Sequence, residues 1–181
     1  MPMPASPYRT VADLLAMPDD GHKYELVHGE LLVSPSPRML HQRLVGRLDR
    51  WIGRYLDRHP IGEVFPGGDV ASGNDSLVIP DLLVIDLESA RTLDWSRIHR
   101  PLLVIEVLSP SHARQDRFTK RRFYQEIGIP HYWLVDPDAR LVEVWTPVAH
   151  FPHPERDNLR WHPAGAAEPL VIQLEELFRP V

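Results

Sequence analysis

An α/β fold, a sheet covered by helices, is predicted by three features of the 181-residue chain. Residues 102–108 form a nearly continuous apolar run, and such runs mark strands covered on both faces and therefore central in a sheet. From Arg38 onward, Leu40, Leu44, Leu48, Trp51 and Tyr55 recur at steps of four and three, so a helix there presents one apolar stripe that needs a sheet beneath it. A helical segment at residues 114–127 then separates the apolar run from another strand-like run at 132–135.

The elements follow in order. Thr10, with Asp13 three positions on, is an N-cap for a short helix through Val11, Leu14 and Leu15, which Pro18-Asp19-Asp20-Gly21 ends. Residues 24–27 and 30–33 make a hairpin around His28-Gly29, where glycine supplies the positive φ of a tight turn. Ser34-Pro35-Ser36-Pro37 closes it, and the long helix follows, with Val45, Ile52 and Leu56 widening its stripe. Beyond His59-Pro60 come strands at 63–65, 69–71 and 77–86, an ambiguous stretch at 94–99 and the apolar run. Gly128 ends the helix at 114–127, and strands at 132–135 and 141–145 flank Asp136-Pro137-Asp138. Proline and histidine crowd residues 147–163, which read as an irregular surface excursion, and 170–178 add a strand and one helical turn. Neither an internal repeat nor a linker is visible, so one domain over residues 1–181 is expected.

Composition narrows the chemistry. The chain has no cysteine, which excludes disulfides, thiolate metal sites and a cysteine nucleophile; any metal must be held by Asp, Glu or His. No apolar stretch reaches the roughly 18 residues that span a bilayer, and residues 1–7 lack the pattern of an export signal. A cytoplasmic protein without a membrane partner is the expectation. The net charge of -5 is unevenly spread: residues 38–58 and 111–125 each carry +4, leaving -13 for the remainder. Arg43, Arg47, Arg50, Arg54 and Arg58 repeat along the long helix, either as a solvated edge or as a surface for phosphate.

Three residues stand out. Lys120 is one of only two lysines beside eighteen arginines, and an ammonium is a compact point charge that can touch a water or a scissile phosphate where a planar guanidinium cannot. Glu106 is the only charge between Pro101 and Ser109, and a carboxylate in such a run needs a cation. Asp81 follows Pro80, which cannot donate to a ladder, so a bend or an edge is expected that swings the carboxylate into a cleft. Two carboxylates at a sheet edge can hold a hard divalent cation such as Mg²⁺, with Mn²⁺ as substitute, and such an ion serves phosphodiester hydrolysis. Asp116, Lys120, Tyr124 and Ile127 share one helix face at steps of four, four and three; the alternative is an ordinary surface pair of Asp116 with Lys120. His41 is a candidate general acid or neighbour of the metal. Glu30 and Glu25 could add a carboxylate; strand alternation sets Glu25 on the face opposite Tyr24 and Leu26, and Glu30 is preferred. Tyr124 reads first as packing.

Taken together, Tyr24-Glu25-Leu26-Val27-His28-Gly29-Glu30, His41, Pro80-Asp81, residues 106–111, Asp116, Lys120, Tyr124, Gly128 and residues 132–137 resemble the Uma-two-type endonucleases of bacteria, a branch of the PD-(D/E)xK nuclease superfamily. The resemblance spans about two thirds of the chain. It implies a restriction-endonuclease-like fold, a central mixed sheet flanked by helices, and Mg²⁺-dependent cleavage of nucleic acid, with DNA the leading substrate and Asp81 and Glu106 as metal ligands. The superfamily's lysine two residues after the glutamate is Leu108 here; in the resembling family that lysine is moved to the following helix, which maps onto Lys120.

Two other classes remain open: a nucleic-acid-binding or scaffold domain that has lost catalysis, and a hydrolase of small phosphorylated molecules. His150-Phe151-Pro152-His153 lacks the helical spacing of a metalloprotease pair, and Ser109-Pro110-Ser111 lacks the glycines of a nucleophile elbow and reads as a cap of the next helix. A homodimer is expected from the pair of sites that cutting a duplex requires and from Trp145 and Trp161, read as exposed aromatics.

Overall fold

The computed structural model describes residues 8–110 and 113–180; the readings made on residues 1–7 and on Ser111 lie outside them. The first helix, α1 (Val11–Leu15), carries the expected Thr10–Asp13 capping box. Strands β1 (Lys23–Val27) and β2 (Glu30–Ser34) pair antiparallel about His28 and Gly29, whose φ angles of 49° and 76° are both left-handed, so the turn needs more than its glycine. Helix α2 (Met39–Arg58) buries Leu44, Val45, Leu48, Ile52, Tyr55 and Leu56, side chains that each contribute roughly 1.5–3 kcal/mol when fully withdrawn from water.

Strands β3 (Gly62–Phe65), β4 (Val70–Ser72), β5 (Ser76–Val78) and β6 (Leu82–Asp86) come next. The predicted single strand at 77–86 is thus two strands in two sheets. Proline at 80 removes a ladder donor, and there the chain leaves the four-stranded sheet β2-β1-β5-β4 and enters the larger one. A short helix α3 (Leu87–Ala90) and a single helical turn (Trp95–Arg97) in the ambiguous stretch lead to β7 (Leu103–Val107), every residue of which is buried. A widened, π-helical segment (Gln115–Lys120) continues into α4 (Arg121–Glu126), and Gly128 ends the helix at a φ of 73°.

The remaining strands are β8 (Tyr132–Asp136), β9 (Leu141–Trp145), β10 (His153–Glu155), β11 (Asn158–Trp161) and β12 (Leu170–Gln173), followed by α5 (Leu174–Phe178). The larger sheet runs β10-β9-β8-β7-β6-β3; β7 and β8 are parallel and its other pairs antiparallel. Its interior matches the predicted central position of 102–108. Leu103, Ile105 and Val107 face α2, while Val104 and Leu108 lie in the core that holds Phe123 and Tyr124 of α4.

Two further expectations are overturned. Residues 147–163 are not irregular throughout: β10 is an edge strand, where Pro154 is tolerated, and β11 alternates inward Leu159 and Trp161 with outward Asn158 and Arg160. Four residues of alternation between prolines are too few to show in the sequence. Trp145 and Trp161 are buried, at 7% and 1% exposure, which removes the aromatic argument for a dimer. Among the described residues no helix is long and apolar enough to cross a membrane.

Candidate active site

Strand alternation decides where Glu106 goes. Glu106 shares a side with Val104 of β7 and with Leu108 just beyond it, toward α4 and the four-stranded sheet, and it is only 2% exposed. Lys120 and Tyr124 descend on it from the helix: Lys120 Nζ donates to Glu106 Oε1 at 3.0 Å, and the Tyr124 hydroxyl donates to the same oxygen at 3.0 Å. Lys120 Nζ also lies 2.8 Å from Glu25 Oε2 and 3.4 Å from Asp116 Oδ1. The widened turn that carries Asp116 and Lys120 is held by the Arg121 amide donating to the Asp116 carbonyl and by the Tyr132 hydroxyl donating to that carbonyl at 3.1 Å. Such turns recur at functional sites because they re-aim side chains without breaking the helix.

Asp81 sits at the corner between β5 and β6. Its Oδ2 accepts from the Val107 amide at 2.8 Å and from His41 Nε2 at 2.9 Å, bringing the first turn of α2 to the site. The other oxygen, Oδ1, lies 3.8 Å from Lys23 Nζ, which is also 3.7 Å from Glu25 Oε1; that oxygen accepts from the Ile79 amide at 2.8 Å. Both lysines of the chain therefore converge on one cluster.

Asp81, Glu106, Lys120, Asp116 and Tyr124 come together as one group, with His41 joined through Asp81. Asp116 and Lys120 are a buried pair rather than a surface one. Glu30 does not take part: it is exposed at the hairpin turn, and the carboxylate that β1 contributes is Glu25, which is fully buried. Lys23 and Glu25 are the residues that sequence reasoning missed or ranked too low. The scarcity of lysine that singled out Lys120 applied equally to Lys23.

Electrostatics separates the two carboxylates at the heart of the group. Burial works to raise the Asp81 pKa, yet the His41 hydrogen bond, the charges of Lys23 and His41 and the Val107 amide outweigh it and hold the group at about 2. Burial dominates at Glu106; Lys120 opposes it, Asp81 reinforces it, and the pKa is pushed up to about 8. Asp116 is raised for the same reason, burial exceeding the attraction of Lys120. Burial alone would lower the Lys120 pKa, but Glu106, Glu25 and Asp116 together carry it well above its usual value. In formal charge the cluster sets two ammoniums against four carboxylates, and the proton that Glu106 retains near neutrality makes good part of the difference.

A cleft of about 610 Å³ opens on this cluster. Lys23, His41, Asp81, Glu106, Asp116 and Lys120 line it, and Pro35, Pro37, Leu40, Pro110 and Pro137 contribute to its walls. Among the described residues no three His, Asp or Glu side chains stand ready-made as a metal cage. The donor chemistry nonetheless fits Mg²⁺, which keeps several waters and is commonly held by one or two carboxylates. Asp81 and Glu106 offer such oxygens on the cleft, in a group short of positive charge.

The same architecture is found in a solved structure. A protein of Anabaena variabilis, described as a putative nuclease belonging to DUF820, is 23% identical, with a TM-score of 0.79 over 94% of this chain and 97% of that one. The expected restriction-endonuclease-like fold, a mixed sheet flanked by helices, is therefore the fold of this chain. No curated protein matches the chain. The model of the family Uma2, "Putative restriction endonuclease", matches residues 11–171, nearly the whole length, and the chain belongs to that family.

Proposed function

We propose that the protein is a metal-dependent endonuclease that hydrolyses phosphodiester bonds in nucleic acid, with DNA the first substrate to test. The observation that carries this reading is the group of four carboxylates and two lysines, of which Glu25, Glu106, Asp116 and Lys120 are buried, short of positive charge and open to a cleft. Asp81 and Glu106 would hold Mg²⁺ or Mn²⁺, which supplies charge neutralisation at the phosphate and a hydroxide near neutral pH.

The chain's own residues divide the remaining work. Lys120 has three N–H groups and three carboxylate neighbours within 3.4 Å, so it is a positioning residue: it holds Glu25, Glu106 and Asp116 together beside the cleft. Lys23 is about 29% exposed, holds its two carboxylates only at 3.7 and 3.8 Å, and lines the cleft. It has donors to spare for a phosphate oxygen, and in our reading it stabilises the charge that develops on the phosphorane. His41 keeps Asp81 ionised and correctly turned, and its ring lines the cleft.

Changing Lys23 to Gln is expected to lower plasmid and oligonucleotide cleavage about 100-fold, the usual cost of one preorganised charged donor, with little change in melting temperature. Undiminished turnover in that variant would return the phosphate contact to Lys120. A second expectation concerns protons. Glu106, with a pKa of about 8, is mostly protonated at pH 7 and must ionise to bind a metal. Titration of Mn²⁺ in buffers of different ionisation enthalpy should show close to one proton released per metal, with affinity rising as pH approaches 8; heats independent of buffer would exclude Glu106 as a ligand. A scaffold that keeps the fold without catalysis is favoured by one observation, the full engagement of Lys120, and would bind nucleic acid with no cleavage under either metal.

A further inference from the structure

The two positive segments of the sequence meet different fates in the fold. In the second, Lys120 is buried among carboxylates, Arg117 pairs with Asp136 at 2.7 Å and Glu143 at 3.1 Å, and Arg121 donates to Gln125 and lies over the Trp145 ring. Lys120 and Arg117 thus spend their charge on carboxylates of the molecule, while Arg114 and Arg122 stay exposed. On α2, by contrast, Arg43, Arg50, Arg54 and Arg58 form no ion pair with any described residue, and the last three are exposed. Arg47 gives its Nη1 to the carbonyls of Leu177 and Arg179, both at 2.7 Å, which brings alongside the Arg179 guanidinium, itself paired with Glu176 at 3.1 Å.

Placement gives these charges a direction. Leu40 lines the cleft, and Arg43, Arg47, Arg50, Arg54 and Arg58 follow it at i+3, i+7, i+10, i+14 and i+18, one stripe along a helix of 20 residues. The stripe extends roughly 27 Å from the cleft, the length of about eight nucleotide steps. Burial depresses the Arg47 pKa first, and the charges of Arg179, Arg43 and Arg50 lower it further while Glu176 opposes them. A surface that gathers like charge at such cost, in a chain of net charge -5, is complementary to a polyanion.

We infer that the arginine stripe of α2 is a phosphate-backbone track that carries nucleic acid between the cleft and the far end of the helix. The inference rests on the nuclease reading for the polymer it names, though the track and the cleft are tested separately. The probe is a fluorescent mixed-sequence DNA duplex of about 20 base pairs, somewhat over twice what the helix can follow, and its single strand, titrated over a range of salt. Changing Arg43, Arg50 and Arg54 together to Gln should weaken binding of the preferred form about 10- to 100-fold near 0.1 M salt. It should also reduce the slope of log K against log salt by about 2 to 3, and Arg54→Gln alone by about 1.

If the native protein binds the probe and the triple variant binds equally well with the same slope, the track is wrong whatever the cleft does. If native binding depends on the stripe but no metal binds and nothing is cleaved, the track stands and the nuclease reading falls. Failure of the native protein to bind either probe, or a preference for phosphatidylserine vesicles over both, overturns the track.

Discussion

Replacing Lys120 with Met is expected to lower the melting temperature by on the order of 10 °C and to abolish cleavage. The ammonium is 3% exposed and stands within 3.4 Å of three carboxylates, so its removal leaves Glu25, Glu106 and Asp116 without the charge that allows them to be buried. Breaking a buried ion pair from one side costs about 3–5 kcal/mol, and a domain of this size loses roughly 2–4 °C per kcal/mol. The orphaned carboxylates will take up protons, and this fixes the sign of the pH dependence. A carboxyl whose folded pKa is raised contributes stability that is present below its unfolded pKa and lost as pH rises through the folded one. The variant's deficit should therefore be larger at about pH 8 than at about pH 5.5, as differential scanning calorimetry would show. Arg at this position should not rescue it, because a planar fork cannot take the place of a point charge among three carboxylates. A fully folded Lys120→Met protein with unchanged stability would mean that the cluster is not held together by this cation.

Glu106→Gln should do the opposite to stability while removing function. Glu106 has its pKa raised from 4.5 to about 8, so between those values the folded state binds more protons than the unfolded chain. Its contribution to stability is thus complete below about pH 4.5 and lost as pH rises through about 8. Gln keeps the shape and carries no charge, and it can still accept from Lys120 and Tyr124. The metal-free variant is expected to melt at or above the native temperature at about pH 8.5 and to show a flatter dependence on pH. The same substitution should eliminate Mn²⁺ and Mg²⁺ binding by calorimetry and with it cleavage, since a neutral amide is a poor ligand for a hard cation. A sharp fall in stability at high pH would identify Glu106 as a structural anion. Retained metal affinity would move the metal to other oxygens.

Much of this was legible in the chain because the signals were local contradictions. Glu106 breaks an apolar run, Pro80 breaks a strand pattern, and Lys120 is a rare residue on a helix face shared with Asp116 and Tyr124. Glu25 escaped because alternation only set it on the face opposite Tyr24 and Leu26, whereas Lys120 of the π-helical segment meets that face and leaves the carboxylate fully buried. No local pattern tells a strand which of its faces a distant helix will cover. Residues 153–161 escaped for a related reason: β10 and β11 are each too short to outweigh their prolines, and they are strands by virtue of the partners β9 and β12.

The corner at Pro80-Asp81 has a consequence in time. Because the chain changes sheets there, the candidate site is assembled from both, with Lys23 and Glu25 on the smaller sheet and Glu106 on the larger. Glu25 precedes Lys120 by 95 positions, which a ribosome adding about 5–20 residues per second takes roughly 5–20 s to cross. Throughout that interval the nascent chain carries some of the site's carboxylates without the ammonium that permits their burial. A chain cut short anywhere before residue 120 lacks the group that closes the cluster, so on the proposed reading nuclease activity can appear only after the two sheets have docked.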